Sequence, residues 1–108
     1  MAETRKVLFQ RRPAAATLED GYTVAAATQV VGSTIVVCNT GAATSFRISV
    51  AIAGAADALG QYLFYDATIA ATATTTITIG FTLGATDKIR VYATLATLSF
   101  TGFGVELT

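Results

Sequence analysis

The sequence has no histidine, no tryptophan, one cysteine and one proline among its 108 residues. Without histidine it lacks the commonest general base, the usual zinc ligand and the imidazole of a Ser-His or Cys-His nucleophile pair. It also contains no D-x-D-x-D-G calcium loop and no G-x-x-x-x-G-K-[ST] phosphate loop. The aspartates are scattered, as they are when each bonds to the backbone of its own turn: Asp20, Asp57, Asp66 and Asp87. We therefore expect no catalytic residue, no metal site and no cofactor, and we predict that the protein is not an enzyme.

The single cysteine and the lack of long apolar runs exclude further classes of protein. Cys38 cannot form a disulfide within the chain, and its place in the apolar run 35–38 predicts a small buried side chain. The first thirteen residues, MAETRKVLFQRRP, carry charges throughout and lack the apolar core of a signal peptide. No apolar stretch approaches the length that crosses a bilayer. We therefore expect neither a signal peptide nor a membrane partner.

Charged residues are scarce in this chain. Seven basic and seven acidic side chains give a formal net charge of zero and make up 13% of the residues, against about 25% in typical soluble domains. A net charge of zero gives no reason to expect binding to nucleic acid or to an anionic membrane. A folded chain of this mass exposes roughly 5,600 Å², which leaves about 400 Å² of surface for each charge. Such a surface favours association with other protein subunits, and a soluble monomer hydrated by its hydroxyl groups is the alternative.

Alternating strand patterns dominate the chain. Residues 76–83, TITIGFTL, place an apolar side chain at every second position, with threonine or glycine between them. Residues 45–52 repeat this period of two, whereas residues 29–38 are apolar on both faces, as in a central strand. Eight strands are predicted, at residues 6–12, 21–25, 29–38, 44–53, 61–66, 74–83, 87–94 and 97–107. Their short connections favour a single all-β domain, an antiparallel β-sandwich or jelly roll of about eight strands.

The last predicted strand contains a change of parity. Leu98 and Phe100 share one parity, whereas Phe103 and the apolar residues after it share the other. If all of them are to face the core, one extra residue has to be absorbed, and we predict a β-bulge at Gly102. The alternative is that Phe103 lies on the opposite face of the sheet.

The start of the chain differs from the rest in charge. We divide the chain into a basic N-terminal arm, residues 1–13, and a β-sandwich domain, residues 14–108. One interpretation is that the arm contacts the acidic body of a neighbouring subunit and becomes ordered only on docking. The other is an edge strand that its charges protect from mispairing. The candidate interface residues in this segment are Arg5, Lys6, Phe9, Arg11 and Arg12. They predict no nucleic-acid partner, because no RNP-type signature accompanies them.

Residues 61–66, QYLFYD, place aromatic side chains on both faces of one strand. Strict alternation sends Tyr62 and Phe64 to one face and Tyr65 to the other. An outward tyrosine could stack on a sugar or anchor a protein contact, and core packing is the alternative. Tyr62 and Tyr65 therefore join the candidate interface residues.

Several stretches together resemble small β-rich virion proteins encoded by tailed bacteriophages. They are residues 18–54, 61–66 (QYLFYD), 76–93 (TITIGFTLGATDKIRVYA) and 98–108 (LSFTGFGVELT). The most specific portions are residues 33–39, STIVVCN, and residues 87–92, DKIRVY. The resemblance covers nearly the whole chain from Lys6 and brings no catalytic motif with it.

This resemblance implies a structural protein of the virion that is made in the host cytoplasm. Its partners would be the major capsid protein or other virion proteins, and it would form a homo-oligomer, with a trimer favoured. We expect a capsid decoration or cement protein that binds and bridges shell subunits. The alternative is a tail- or fibre-associated module that recognises a host-surface glycan.

Overall fold

The computed structural model describes residues 2–108, which form nine β-strands and two short 3₁₀ turns. The strands are β1 (Glu3–Arg11), β2 (Glu19–Thr23), β3 (Gln29–Asn39), β4 (Thr44–Ala51), β5 (Tyr62–Ile69), β6 (Thr74–Ile77), β7 (Phe81–Leu83), β8 (Lys88–Ala93) and β9 (Leu98–Leu107). The 3₁₀ turns, Ile52–Gly54 and Leu59–Gln61, lie in the connection between β4 and β5. Every predicted strand is present, and the one predicted at residues 74–83 is divided into β6 and β7.

The strands form two antiparallel sheets. Sheet A has the order β1-β9-β3-β6, with β7 also paired to β3, and sheet B has the order β2-β8-β4-β5. The strands also pair as they would in one long antiparallel hairpin that is wound into two sheets: β1 with β9, β2 with β8, β3 with β6 and β7, and β4 with β5. This is the arrangement of a jelly roll. The predicted all-β antiparallel sandwich is therefore confirmed.

The division between β6 and β7 lies at residues 78–80. Gly80 has a φ of +46°, a conformation that glycine adopts at little cost, and the ladder to β3 is interrupted there. Ile79 is 46% exposed, although the alternating pattern of residues 76–83 predicts that it points into the core. The other apolar residues of the segment agree with the pattern, because Ile77, Phe81 and Leu83 are all buried.

The core lies between the two sheets and follows the alternation of the sequence. Phe46 of sheet B and Phe100 of sheet A meet edge to face, with ring centroids 6.0 Å apart, and both are fully buried. Ile48, Val91 and Leu98 surround them and are equally inaccessible to solvent. Cys38 was predicted to be a small buried side chain, but it lies opposite Thr74 on the outer face of sheet A and is only partly buried.

Strand β1 forms one edge of sheet A and pairs with β9 over its whole length. The pairing shifts by one residue between Val7 and Phe9, which makes Leu8 an extra residue in a β-bulge. Leu8 and Phe9 consequently both turn into the core, where each is 7% exposed. Residues 3–11 are therefore a strand of the sandwich, as the edge-strand interpretation has it, and not an arm outside it.

The bulge expected at Gly102 lies instead in the two strands that flank β9. The extra residues are Leu8 of β1 and Ser33 of β3, while β9 alternates without interruption. Phe103 consequently points outward and is 38% exposed. This agrees with the alternative prediction, in which Phe103 lies on the opposite face of the sheet from Phe100. Strand β3 approaches β9 so closely here that a Cβ on Gly104 would lie 2.5 Å from a carbonyl oxygen of β3.

Candidate functional site

The outer face of sheet A carries a patch of apolar side chains that runs diagonally across three strands. Val7 lies opposite Phe103, and Val31 lies opposite Val105. Val7 and Val31 are each 45% exposed. Strands β3, β6 and β7 contain no charged residue, and the only one in β9 is Glu106, which bonds to the inner residue Tyr22. We call this surface, made by Val7, Val31, Phe103, Val105 and the threonines beside them, the uncharged face.

Threonines complete the uncharged face at its other edge. Thr74, Thr76 and Thr82 are exposed on β6 and β7, beside the outer side chains of β3. The three strands with no charge on this side, β9, β3 and the β6–β7 segment, are about 4.8 Å apart and about ten residues long, so they cover roughly 500 Å². A standard protein–protein contact buries about 800 Å² on each partner. The uncharged face is therefore large enough to supply most of one such contact.

The outer face of sheet B is charged. Asp20 of β2 accepts a hydrogen bond from Lys88 Nζ at 2.8 Å and another from Arg90 Nε at 3.2 Å. Both basic residues keep the pKa of the Asp20 carboxyl below its ordinary value. Further along the face, Arg47 Nε donates to Asp66 Oδ1 at 2.7 Å. The outer face of sheet B thus carries ion pairs, whereas on sheet A the strands inside the edge strand β1 expose no charge on the outer face.

A group of aromatic rings surrounds Arg47 on the outer face of sheet B. The guanidinium carbon of Arg47 lies 4.1 Å from the ring centroid of Tyr65 and 4.4 Å from that of Tyr92. Tyr62 meets Tyr65 edge to face, with ring centroids 5.1 Å apart. The hydrogen bond to Asp66 raises the pKa of Arg47, so its charge is permanent. Arg47, Tyr62, Tyr65, Asp66 and Tyr92 are called the tyrosine–arginine cluster.

Strand β5 has two irregularities, and the one between Tyr62 and Phe64 brings both predicted tyrosines to this one face. The register with β4 shifts between the pairs Phe46–Ala67 and Ile48–Phe64, and it shifts again before the pair Ser49–Tyr62. Asp66 has a φ of +51° at the first shift, as bulged positions often do. Strict alternation had placed Tyr62 and Tyr65 on opposite faces, and that prediction is wrong. Burial, together with the nearby Asp57 carboxylate, raises the pKa of Tyr62.

An open groove of about 620 Å³ adjoins the tyrosine–arginine cluster. Ser45 and Thr68 of its lining lie two residues from Arg47 and Asp66 along β4 and β5. The groove is lined by Ala43, Thr44, Ser45, Thr68, Ile69, Ala70, Thr94 and Leu95, none of which is charged. We call it the hydroxyl groove, because four of these side chains carry hydroxyl groups.

The structure does not bring the predicted basic residues of β1 together in one patch. Arg11 pairs with Glu19, Lys6 pairs with Glu106 at 3.3 Å, and Arg12 donates to the carbonyl oxygen of Ala96. Phe9 is in the core, where its ring stacks on Tyr22 with centroids 6.0 Å apart. Arg5 is exposed on the outer side of β1, beside Val105. Of the candidates in this segment, only Arg5 therefore borders the uncharged face.

Three members of the tyrosine–arginine cluster were missed by sequence reasoning. Asp66 follows Tyr65 directly, and Arg47 and Tyr92 both occupy the outward parity of strands that were predicted correctly. The signal that would have found them is cross-strand pairing, because Arg47 and Tyr92 are partners in the β4–β8 ladder. That register is set by the fold and cannot be read from one strand alone.

Within residues 2–108, no three histidine, cysteine, aspartate or glutamate side chains come close enough together to hold a metal ion. The same part of the chain has no helix with the length and apolar character of a membrane span.

Comparison with models of protein families, with curated proteins and with solved structures finds no match to this chain. The resemblance to virion proteins of tailed bacteriophages therefore stays a prediction from the sequence.

Proposed function

We propose that the protein is a bacteriophage virion structural protein, a capsid decoration or cement protein that binds and bridges shell subunits. The observation that carries this proposal is the uncharged face, where Val7, Val31 and Phe103 are exposed beside threonines. Exposed apolar patches rimmed by polar residues are typical of protein interaction sites. The shell subunits cover this face in the bound state.

The contrast between the two sheets supports an oriented mode of binding. The uncharged face turns toward the shell, and sheet B, with Asp20, Arg47, Lys88 and Arg90, faces the solvent. The uncharged face itself contains no ion, and the charged side chains at its border, Glu3 and Arg5, lie at one end of the edge strand β1. The desolvation penalty of the contact is therefore small. The charges that remain outside keep decorated particles hydrated and dispersed.

The mechanism is binding alone. A single contact of this size has modest strength, because association entropy offsets much of the gain from buried area. Simultaneous contacts to neighbouring shell subunits raise the overall affinity through effective concentration. We propose that three copies of the chain form a homotrimer, which multiplies these contacts. Sedimentation velocity of the purified protein tests the trimer, and a single monomeric species over the whole concentration range would contradict it.

A tail- or fibre-associated module is the second candidate, and the exposed tyrosines of the tyrosine–arginine cluster favour it. The two candidates differ in the number of copies on each particle. A cement protein follows the copy number of the major capsid protein, whereas a tail module follows the much smaller number of tail subunits.

Quantitative mass spectrometry of purified particles of the virus that encodes this chain tests the proposed function. We expect the chain in the particle at a fixed ratio to the major capsid protein. A copy number equal to that of the tail components would support the tail- or fibre-associated module and contradict the cement protein. Complete absence from the particle would contradict both.

A further inference from the structure

The tyrosine–arginine cluster and the hydroxyl groove form one continuous surface that the proposed capsid contact does not use. Arg47 and Ser45 are neighbours on the outer side of β4, and Thr94 directly follows β8, two residues after Tyr92. The uncharged face lies on the other sheet, so the two surfaces are free to act independently. We propose that this second surface binds a neutral oligosaccharide.

The cluster offers an aromatic platform. Tyr65 is 51% exposed, although Arg47 stacks against its ring and Tyr62 meets it at its side. These neighbours fix the orientation of the ring, and a fixed exposed tyrosine gives a large amphipathic contact at little cost in side-chain entropy. The apolar side of a sugar ring is a good partner for such a surface.

The hydroxyl groove supplies the polar contacts. The hydroxyl groups of Ser45 and Thr94 lie 2.7 Å apart and bond to each other, and each keeps further capacity to donate or accept. Leu95, 39% exposed, gives the groove an apolar wall. Its volume of about 620 Å³ lies within the usual range of small-molecule sites, about 300–1,000 Å³.

The rim of the hydroxyl groove is held in place by a buried amide. Asn39 is 1% exposed, and its Nδ2 donates to the carbonyl oxygens of Ala42 at 2.8 Å and Ala70 at 3.0 Å. Its Oδ1 accepts from Thr97 Oγ1 at 3.0 Å. The two loops that border the groove are thereby joined, and a preorganised site costs less to bind.

Charge balance favours a neutral sugar over an acidic one. The guanidinium of Arg47 is already neutralised by Asp66, through bonds of 2.7 Å and 3.3 Å. The remaining lone pairs of Asp66, which is exposed, would repel an anionic ligand and accept bonds from sugar hydroxyls. A bound protein is the competing occupant, but a flat protein contact would leave the groove empty.

Titration of the purified protein followed by NMR tests this proposal without any viral particle. The probes are maltotetraose, cellotetraose and mannotetraose, with a tetragalacturonate as the acidic comparison. We expect at least one neutral probe to bind at millimolar concentration or below, with shifts concentrated at Ser45, Tyr65 and Thr68. Tyr65→Ala should weaken that binding about fivefold, since an aromatic contact is worth about 1 kcal/mol. Tyr65→Phe keeps the ring and should retain binding.

The matched control is Phe103→Ala, which removes an exposed aromatic ring from the other sheet and should leave sugar binding unchanged. An unfolding curve for each variant separates loss of binding from loss of fold. The proposal is overturned if no neutral probe binds, if tetragalacturonate binds best, or if Tyr65→Ala binds as the wild type does. Loss of particle attachment by Tyr65→Ala without any sugar binding would identify the cluster as a protein contact instead. The sugar titrations do not bear on the uncharged face, so the capsid proposal is tested separately.

Discussion

Phe9 lies directly opposite Gly102 in the β1–β9 ladder, and its ring fills the space that a side chain on Gly102 would occupy. A Cβ at Gly102 would be 2.2 Å from Phe9 Cε1. The same relationship recurs across β3 and β7, where a Cβ on Gly32 would be 1.9 Å from Phe81 Cζ. Aromatic residues thus cover glycines at both edges of sheet A.

Replacing Gly102 should destabilise the protein because the Phe9 ring cannot be displaced without disturbing the core. We expect Gly102→Ala to lower the free energy of unfolding by about 1–3 kcal/mol, the usual cost of overpacking. Gly60→Ala is the matched control, since a Cβ there meets nothing within 4 Å. Its effect should stay within about 0.5 kcal/mol. Urea denaturation measures both values, and equal effects would contradict the proposed packing.

Strand β1 should be required for stability. Phe9→Ala removes a buried ring that stacks on Tyr22 and should cost about 3 kcal/mol of unfolding free energy. Arg5→Ala, at an exposed position of the same strand, should change it by less than about 0.5 kcal/mol. Deletion of residues 1–10 should abolish cooperative thermal unfolding. A truncated protein as stable as the full chain would show that β1 is dispensable.

Stability should fall in mild acid. The hydrogen bond from Tyr22 and the Lys6 ammonium lower the pKa of Glu106 from its ordinary 4.5, and basic partners do the same for Asp20. In both cases the unfolded chain binds protons at a higher pH than the folded chain does. Their contribution is therefore complete above about pH 5 and is lost as the pH falls below the ordinary values.

Thermal unfolding between pH 3 and pH 7 measures this dependence. Glu106→Gln should reduce stability at pH 7 and make the decline toward pH 3 shallower, because one titrating group has been removed. Glu3→Gln is the control, since Glu3 forms no ion pair with the residues that the structure describes. A Glu106→Gln profile parallel to that of the wild type would show that this carboxylate does not contribute.

The strand framework could be predicted from the sequence because alternation is a local property. Residues 44–51 and 88–93 bury every second side chain with few exceptions, and their predicted bounds lie within two residues of those observed. The bulges could not be predicted, since they depend on which residue lies across the ladder. The parity change in β9 was visible in the sequence, but the extra residues of the bulges are Leu8 and Ser33, which lie in the two strands that pair with β9.

The candidate site was predictable only in part, for the same reason. Tyr62 and Tyr65 were named as candidate interface residues with core packing as the alternative, but their common face results from a register shift against β4 between Tyr62 and Phe64. Phe9 was expected at an interface and is buried, because the Leu8 bulge turns both residues inward. The scarcity of charge was visible in the sequence as a total. The distribution of the charged side chains over the faces of the two sheets depends on which strands share a sheet.

The central claim is that other protein subunits cover the uncharged face, and co-sedimentation with capsids of the bacteriophage to which we propose that the protein belongs tests it most directly. Phe103→Lys places a charge in the middle of this face, and Leu63→Lys places one at a comparably exposed apolar position on sheet B. Wild-type protein and the Leu63→Lys variant should sediment with the capsids. The Phe103→Lys variant should keep its fold but bind at least about tenfold more weakly, because a buried unpaired charge costs several kcal/mol. Equal binding by Phe103→Lys, or a wild-type protein that stays in the supernatant, would contradict the claim.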